Sequence, residues 1–405
     1  MDRKRTPRIG YSCLILALAF APACQFTSVP PSPQAAAWTA DRVATPAPEV
    51  ASPNANTAVL SKAVDLHILP DLSAIIPRLA DNRVIFVGEA HTSYAHHLNQ
   101  LAIIRGLSER RPDLAIGMEY FQQPFQECLD EYGTGRLTET ELLAKTEYFK
   151  RWGYDFRLYE PILKYAKDAG IPLVALNVPS EIVRKVAQSG LAGLTEQERA
   201  DIPQDLDRSS TAYRDFLQSV FKDHPHAKSA SFESFYETQL LWDEGMAARA
   251  ARYLEDYPTR TLVVLAGMGH VQYGYGIPDR LTRRIQVSRA IVLNGFDGPF
   301  EPNMADFVLL AKAEALPAAG RLGVMLESDR EGLRISAFAT DSAAQEAGLQ
   351  RGDRIVSLND SPVHEMADVE LAMWDKQPGT HVKVEVKRRF WFLPAKTLWF
   401  EITLR

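Results

Sequence analysis

An excess of positive charge is absent from this chain. Its 405 residues carry 45 Lys and Arg against 51 Asp and Glu, which gives a formal net charge of -6. Basic residues are concentrated only in the first eight positions, MDRKRTPR. Because nucleic-acid binding depends on basic surfaces, this composition argues against a nucleic-acid partner.

An apolar run long enough to cross a bilayer is also absent. The apolar run at residues 9–24 is shorter than the roughly 20 residues that a span requires, and it follows the basic start, as in a secretory signal. Ala21 and Ala23 before Cys24 resemble a bacterial lipobox, although Pro22 departs from that pattern. We expect a cell-envelope lipoprotein, held at the membrane through lipidated Cys24 and facing the periplasm or the exterior. A plain cleaved signal or an uncleaved anchor is the alternative.

Cysteine is scarce, with three residues in the whole chain. Signal cleavage would remove Cys13 and lipid attachment would use Cys24, which leaves Cys128 alone. A single cysteine excludes a disulfide framework. We expect Cys128 to be a small buried apolar residue rather than a reactive thiol.

The remaining sequence divides into regions of different composition. After the signal at residues 1–24, residues 25–60 are rich in Pro, Ala, Ser and Thr, which predicts an extended tether. Residues 61–312 alternate short β-branched runs (VIFVGE, LAIGME, PLVALN, TLVVLAG) with amphipathic helical patterns. This alternation predicts an α/β domain with an open, mainly parallel sheet and helices on both faces. Residues 318–405 form a separate, smaller domain.

Titratable side chains follow three of the predicted strands. Glu89 and His91 end the first strand, Glu119 ends the second, and His270 follows the fourth. In open α/β sheets the carboxyl ends of the strands form one ligand-binding edge, so we expect these four residues to meet. Two carboxylates and two imidazoles suit a divalent metal or general acid–base chemistry.

Each of these residues also has an ordinary explanation when taken alone. A glutamate after a strand often stabilises the start of a helix, and a histidine there is often a hydrogen-bonded loop residue. The coincidence of four at corresponding strand ends favours a functional site. His97, in the next helix, is expected to be solvated.

The ordered motifs VIFVGEAH, IGMEYF, FYETQLLWDEGMA and VVLAGMGHVQYGYGIPDRL resemble the ChaN-type haem-binding lipoprotein family over roughly residues 65–310. That family is related more distantly to Tiki, TraB and erythromycin-esterase-like proteins. The resemblance implies haem or iron acquisition, with haem held at a dimer interface by a tyrosine; a homodimer is therefore a further expectation. It also places the helix that carries Gln239 and Asp243 near the site, although ordinary helix surface is the alternative for these two.

The resemblance leaves the haem ligand open. The candidate cofactor-binding residues are Tyr94, Tyr154, Tyr159, Tyr273 and His91. A tyrosinate suits ferric iron, but any one of the 14 tyrosines is more often a packing residue than a ligand.

Two other functions remain open. Tiki-like relatives suggest a metal-dependent hydrolase, in which His91, His270 and one of Glu89 and Glu119 hold a divalent metal while the other glutamate acts as general base. Against this, the sequence has neither an H-E-x-x-H helix nor a G-x-S-x-G motif. A third possibility is an adaptor whose old site is vestigial.

The C-terminal sequence SAAQEAGLQRGDRIVSLNDSPV is similar to PDZ domains of bacterial periplasmic proteases. Such domains combine a small β structure with two helices and bind a protein C-terminus or internal peptide by strand addition. The resemblance implies peptide-binding residues at Arg321, Leu322, Gly323, Val324 and Leu371. Packing within the same chain, without a ligand, is the alternative.

An aromatic segment, RRFWFLPAK, interrupts the end of this last domain. Phe390, Trp391, Phe392 and Leu393 would form an apolar tip beside two arginines. Such patches usually mark an interface with a partner or a membrane. Packing on the chain's own α/β domain is equally expected.

Overall fold

The described residues form two compact units. The computed structural model describes residues 67, 69–223, 231–295, 301–390 and 393–405. One unit holds the residues up to Thr146 together with Phe156–Ala318, and the other holds Glu147–Asp155 and Ala319–Arg405. We describe each unit by itself.

The first unit is built on a six-stranded sheet. Its strands are β1 (Val84–Glu89), β2 (Leu114–Gln122), β3 (Leu173–Asn177), β4 (Thr261–Gly267), β5 (Arg289–Asn294) and β6 (Phe307–Leu309). They lie in the order β3-β2-β4-β1-β5-β6, and every pairing in this sheet is parallel. The predicted open parallel α/β fold is confirmed.

The four central strands are apolar because both of their faces are covered. Every residue of β1, β2, β3 and β4 is buried. On one face they pack against the apolar side of a long helix that includes Met246 and Leu254. Continuous apolar runs, rather than alternating ones, are what such strands require.

Helices precede and connect these strands. They are α1 (Leu72–Ala80), α2 (Tyr94–Ser108), α3 (Gln126–Gly133), α4 (Glu139–Lys145), α5 (Tyr148–Arg151), α6 (Glu160–Asp168), α7 (Ser180–Ser189), α8 (Glu196–Ala200), α9 (Thr211–Asp223), α10 (Phe232–Asp256) and α11 (Ile277–Arg284). Of these, α5 belongs to the second unit. Gly190 ends α7 with a φ of 69°, a conformation that glycine adopts without strain.

The second unit is a small sheet with two helices of its own. Its elements are β7 (Val324–Asp329), β8 (Gly332–Phe338), α12 (Ala343–Glu346), β9 (Arg354–Leu358), β10 (Ser361–Pro362), α13 (Met366–Met373), β11 (His381–Phe390) and β12 (Leu393–Thr403). The strand order is β12-β11-β9-β8-β7, with β10 paired to β9. The pairings within the described residues are all antiparallel. The predicted small C-terminal domain is confirmed.

An unexpected segment joins this second unit. Glu147–Asp155, which comes between α4 and α6 in the chain, clusters with the C-terminal residues. Its helix α5 packs against α13, and Lys150 Nζ lies 3.3 Å from Glu365 Oε1. Nothing in the sequence pattern signals this placement.

Some predictions fall outside the described residues. The signal, the lipidation site Cys24 and the tether lie there, as do Trp391 and Phe392 of the aromatic tip. Phe390, at the edge of that tip, is 39% exposed. Among the described helices, none combines the length and apolarity needed to cross a membrane.

Candidate functional site

The four titratable residues predicted from the strand ends all lie at the carboxyl edge of the parallel sheet. Glu89 is the last residue of β1 and pairs in register with Gly267, the last residue of β4. Glu119 lies in β2 where its pairing with β3 becomes irregular. His91 and His270 follow β1 and β4 within a few residues. All four side chains are buried.

The first histidine is held by the glutamate two residues before it. His91 Nδ1 lies 2.6 Å from Glu89 Oε1. The backbone oxygen of His91 accepts a hydrogen bond from His97 Nε2 at 3.1 Å and a longer one from the hydroxyl of Tyr159 at 3.4 Å. Glu89 Oε2 is buried and has no hydrogen-bond partner among the described residues. It is therefore an acceptor available inside the site.

The second histidine lies between two carboxylates. His270 Nδ1 is 2.6 Å from Asp243 Oδ1 on α10, and its Nε2 is 3.4 Å from Glu119 Oε1. The other oxygen of Glu119 accepts a hydrogen bond from the backbone N–H of Gly267 at 2.7 Å. The end of β4 and the loop that follows it thus contact both oxygens of Glu119.

Gly267 brings the two histidine–carboxylate pairs close together. A Cβ atom at this position would lie 2.9 Å from Cε1 of His91 and 3.6 Å from Oε2 of Glu119. A side chain at residue 267 would therefore separate the pairs, so only glycine permits the approach. The close approach of His91 and Glu119 therefore explains why residue 267 is a glycine.

The charges in the site stabilise one another. Burial alone would lower the pKa of His270, but Glu119 and Asp243 raise it well above its ordinary value. Burial alone would also lower the pKa of His91, but Glu89 and then Glu119 raise it above its ordinary value. Burial alone would raise the pKa of Glu119, yet His270 and His91 lower it to about 2. At neutral pH the site therefore contains ionised glutamate beside protonated histidine.

Two residues of the site were assigned less well from the sequence. His97 was expected in solvent, but it is 1% exposed, and that prediction is wrong. Its neighbour Gln100 Oε1 lies 3.0 Å from Nδ1 and helps to hold it inside. Asp243 had two open interpretations, and the structure places it in contact with His270. Its four-residue spacing from the buried Gln239 was the available signal.

The candidate tyrosines are dispersed. Tyr159 is fully buried behind His91, and Tyr273 donates its hydroxyl to Glu301 Oε2 at 2.7 Å. Burial and then Glu301 raise the pKa of Tyr273. Tyr154 belongs to the second unit. Tyr94 begins α2, three residues after His91, and is half-buried.

The described residues do not show a set of metal ligands. No group of three or more His, Cys, Asp or Glu side chains among them is arranged to hold a metal ion. The divalent-metal site of Glu89, His91, Glu119 and His270 stays a prediction.

Among the described residues, the second unit has a separate sheet edge without a pairing strand. β7 is the last strand of its sheet, and Met325 on it is 57% exposed. Gly323 lies directly before β7 and has a φ of 75°. Its backbone oxygen accepts a hydrogen bond from the N–H of Ala339 at 2.9 Å. Among the predicted peptide-binding residues, Leu322 is buried in the core, whereas Arg321 is exposed. Gly323, Val324 and Leu371 are half-buried.

Two family models match the chain. The family described as haem-binding uptake, Tiki superfamily, ChaN matches residues 75–281, which are 207 of the 405 residues and so just over half. The PDZ domain family matches residues 320–404. The first match covers β1 to β4 of the parallel sheet and the second covers β7 to β12, so both predicted resemblances are confirmed.

Individual relatives are more distant. Protein RETICULATA-RELATED 5, chloroplastic, from Arabidopsis thaliana is 26% identical over 294 residues, covering 63% of this chain and 38% of that protein. This chain therefore spans less than two fifths of the curated relative. A Campylobacter jejuni ChaN with cofacial haem binding is 18% identical with a TM-score of 0.47, covering 59% of this chain and 91% of its own. An erythromycin esterase, EreC, mutated from histidine to asparagine at one position and in its open conformation, is 18% identical with a TM-score of 0.36, covering 62% and 81%.

Proposed function

Because the chain belongs to the ChaN family of haem-binding uptake proteins in the Tiki superfamily, we propose that its α/β unit binds ferric haem at the carboxyl edge of the parallel sheet. Tyr94 would supply the ligand to the haem iron. Its position carries the proposal, since it lies three residues after His91 at this edge and is only half-buried. The described residues provide no hydrogen-bond partner for its hydroxyl.

The surroundings of the site fit a flat, largely apolar ligand. Trp242, Met268 and Tyr273 are only partly buried and pack at the margin of the core that underlies the site. The ring of Trp242 lies 6.1 Å from that of His270. Apolar and aromatic side chains of this kind cover the faces of bound cofactors. A tyrosinate supplies the hard anionic ligand that ferric haem iron accepts.

The other candidate tyrosines fit less well. A ligand must reach the iron with a hydroxyl that can lose its proton. Tyr159 is fully buried, and the raised pKa of Tyr273 opposes deprotonation. We therefore expect neither to be the ligand.

A ferric haem titration of residues 25–405 tests this proposal. Wild type is expected to bind haem saturably, with the charge-transfer absorption band of a tyrosinate ligand. Tyr94→Phe removes the hydroxyl and is expected to lose this band, whereas Tyr159→Phe and Tyr273→Phe should retain it. The absence of saturable binding would contradict haem binding itself, and an unchanged band in Tyr94→Phe would contradict only the choice of ligand.

The proposal extends to the cellular setting. We propose an envelope lipoprotein of iron uptake, anchored by lipid on Cys24. Palmitate labelling and fractionation test this, with Cys24→Ala as the variant. Labelled wild type in the membrane fraction and unlabelled, soluble Cys24→Ala would support it. An unlabelled wild type would contradict it.

A homodimer is a further part of the proposal. Sedimentation velocity with and without haem measures the mass of the particle. A dimer in the haem-loaded sample would support two copies acting together, and a monomer under both conditions would contradict it.

The second unit is proposed to bind a protein partner. The open edge of β7 carries this proposal, because an extended peptide pairs with such an edge through its backbone. A screen of free and amidated C-terminal peptides against the full chain tests it. Binding that needs the free carboxylate and weakens about tenfold in Leu371→Ala would support a pocket beside α13. Equal binding by amidated peptides would contradict C-terminal recognition.

A hydrolase is the second candidate function, and the two histidine–carboxylate pairs favour it. Each histidine has a carboxylate at Nδ1, and Glu89 Oε2 is an unused acceptor. Such pairs orient imidazoles for proton transfer. Ester and peptide hydrolysis by the wild type, with and without a chelator, tests this. Hydrolysis by the wild type that is lost in Glu119→Gln would support this function. Equal rates in the wild type and in Glu119→Gln would contradict it.

A further inference from the structure

Tyr213 is a buried residue outside every motif of the site. It lies on α9 and is fully buried. Its hydroxyl donates to Asp243 Oδ2 at 2.6 Å, while Oδ1 of the same carboxylate contacts Nδ1 of His270 at 2.6 Å. Asp243 is 1% exposed. The two oxygens of one buried carboxylate are therefore assigned to different partners.

Arg280 supports Tyr213 from α11. Its guanidinium carbon lies 4.0 Å from the centre of the tyrosine ring, and its Nε is 3.3 Å from Glu244 Oε1. Both charged side chains are buried. A cation placed over a ring in this way restricts where the ring can go. Tyr213 is consequently fixed at both its face and its hydroxyl.

Gly276 lies close to the carboxylate of Asp243. A Cβ atom at Gly276 would lie 2.9 Å from Asp243 Oδ2 and 2.2 Å from the backbone oxygen of His270. The main chain after the histidine therefore runs against the carboxylate. Rotation of the carboxylate is limited by this backbone and by the hydroxyl of Tyr213.

We infer that Tyr213 is a positioning residue, which fixes the carboxylate of Asp243 and so orients the ring of His270 with its Nε2 toward Glu119. The inference concerns the same site as the proposed function. The site then includes a residue of α9, a helix that lies outside the sequence motifs of the family. Arg280 serves by holding Tyr213 in place.

The test is the solvent exchange rate of the His270 Hδ1 proton, measured by NMR on the full chain without haem. This proton lies in the contact with Asp243. Tyr213→Phe leaves that contact free to open and is expected to accelerate exchange by about tenfold or more. Tyr236→Phe is the matched control, because Tyr236 is equally buried and its ring lies 6.0 Å from that of Tyr213. It should leave the rate unchanged.

A double substitution separates positioning from a general loosening of the fold. If Tyr213 acts through Asp243, then Tyr213→Phe should change the rate by less than about twofold in an Asp243→Asn background. An equal acceleration in both backgrounds, or no acceleration in the single variant, would overturn the inference. Failure of haem binding would not alter these rates, so the proposed function and this inference fail separately.

A second variant covers the case in which Tyr213→Phe does not fold. Site-specific 3-fluorotyrosine at position 213 keeps the ring and makes the hydroxyl a stronger donor. It is expected to slow the exchange of the His270 proton. Exchange at the wild-type rate or faster would overturn the inference.

Discussion

Glu119 is buried and Glu370 is half-buried, and the protein shifts their pKa values in opposite directions. Burial alone would raise both. At the edge of the parallel sheet, His270 and then His91 outweigh burial and lower the pKa of Glu119 to about 2. On α13 of the second unit, Glu370 faces Asp155, which adds to the effect of burial and raises the pKa to about 7. The histidines reverse the effect of burial on Glu119, whereas Asp155 reinforces the effect of burial on Glu370.

This difference separates two kinds of structure. The edge of the parallel sheet keeps buried ions at neutral pH because each acid has a basic partner. Among the described residues no basic side chain lowers the pKa of Glu370, so this carboxyl is about half protonated at neutral pH. The first region is expected to lose stability in acid and the second to gain it. The predictions below test this contrast, in order of decreasing effect.

Removal of His270 should have the largest effect. In His270→Ala, Glu119 and Asp243 remain buried without their partner, which costs about 3–5 kcal/mol in the free energy of unfolding. Chemical denaturation at neutral pH measures this. His381→Ala is the control, because this histidine is exposed on β11. Equal stability of the two variants would contradict a paired, charged site.

Acid should remove the contribution of Glu119. Its folded pKa of about 2 lies below the ordinary value of 4.5, so its contribution is complete above pH 4.5 and is lost as the pH falls toward 2. The loss is on the order of 3 kcal/mol. Unfolding measured across this window should show the decline in wild type and a smaller one in Glu119→Gln. Identical pH profiles would show that Glu119 is not stabilised by its histidines.

Glu370 should give a smaller effect of opposite sign. Its folded pKa of about 7 lies above 4.5, so stability is greatest below pH 4.5 and falls as the pH rises through 7. Because the side chain is half-exposed, we expect a loss of only about 1 kcal/mol. Hydrogen exchange of the α13 amides measures it locally. Glu370→Gln and Asp155→Asn should both flatten the profile, and a profile unchanged in both would remove the contrast with Glu119.

An exposed ion pair should contribute least. Arg389 Nη2 lies 2.7 Å from Glu331 Oε2, with side chains 70% and 52% exposed. Arg389→Ala is expected to cost about 0.5 kcal/mol, because solvent already screens the pair. Chemical denaturation at low and high salt measures it. A cost comparable with that of His270→Ala would mean that burial does not determine how much a charged pair contributes to the free energy of unfolding.

Much of the fold was predictable because the local patterns are strong. The apolar runs of β1 to β4 had to be strands covered on both faces, and the carboxyl ends of parallel strands had to meet. That rule predicts from the sequence alone that Glu89, Glu119 and His270 lie at one edge. The C-terminal unit was predictable from the turn and strand around Gly352 and Asp353, a local signal of the same kind.

The rest depends on contacts between residues distant in the chain. Nothing local indicates that Tyr213 on α9 reaches Asp243 on α10, or that Arg280 lies over its ring. His97 was misjudged because its helix position gives no sign of the buried Glu89 and Gln100 around it. The placement of Glu147–Asp155 with the C-terminal residues likewise depends on packing against α13. Such contacts carry no periodic or compositional signal.

The central claim is that haem binds at the carboxyl edge of the parallel sheet. The most direct test is the NMR spectrum of the full chain with ferric haem, whose paramagnetic iron broadens nearby amide signals. The account predicts broadening at Ala90, His91 and Tyr94 but not at Val84 and Thr261, which lie about 16 Å away at the other end of the strands. Broadening centred on Val84 and Thr261, or on the second unit, would contradict it.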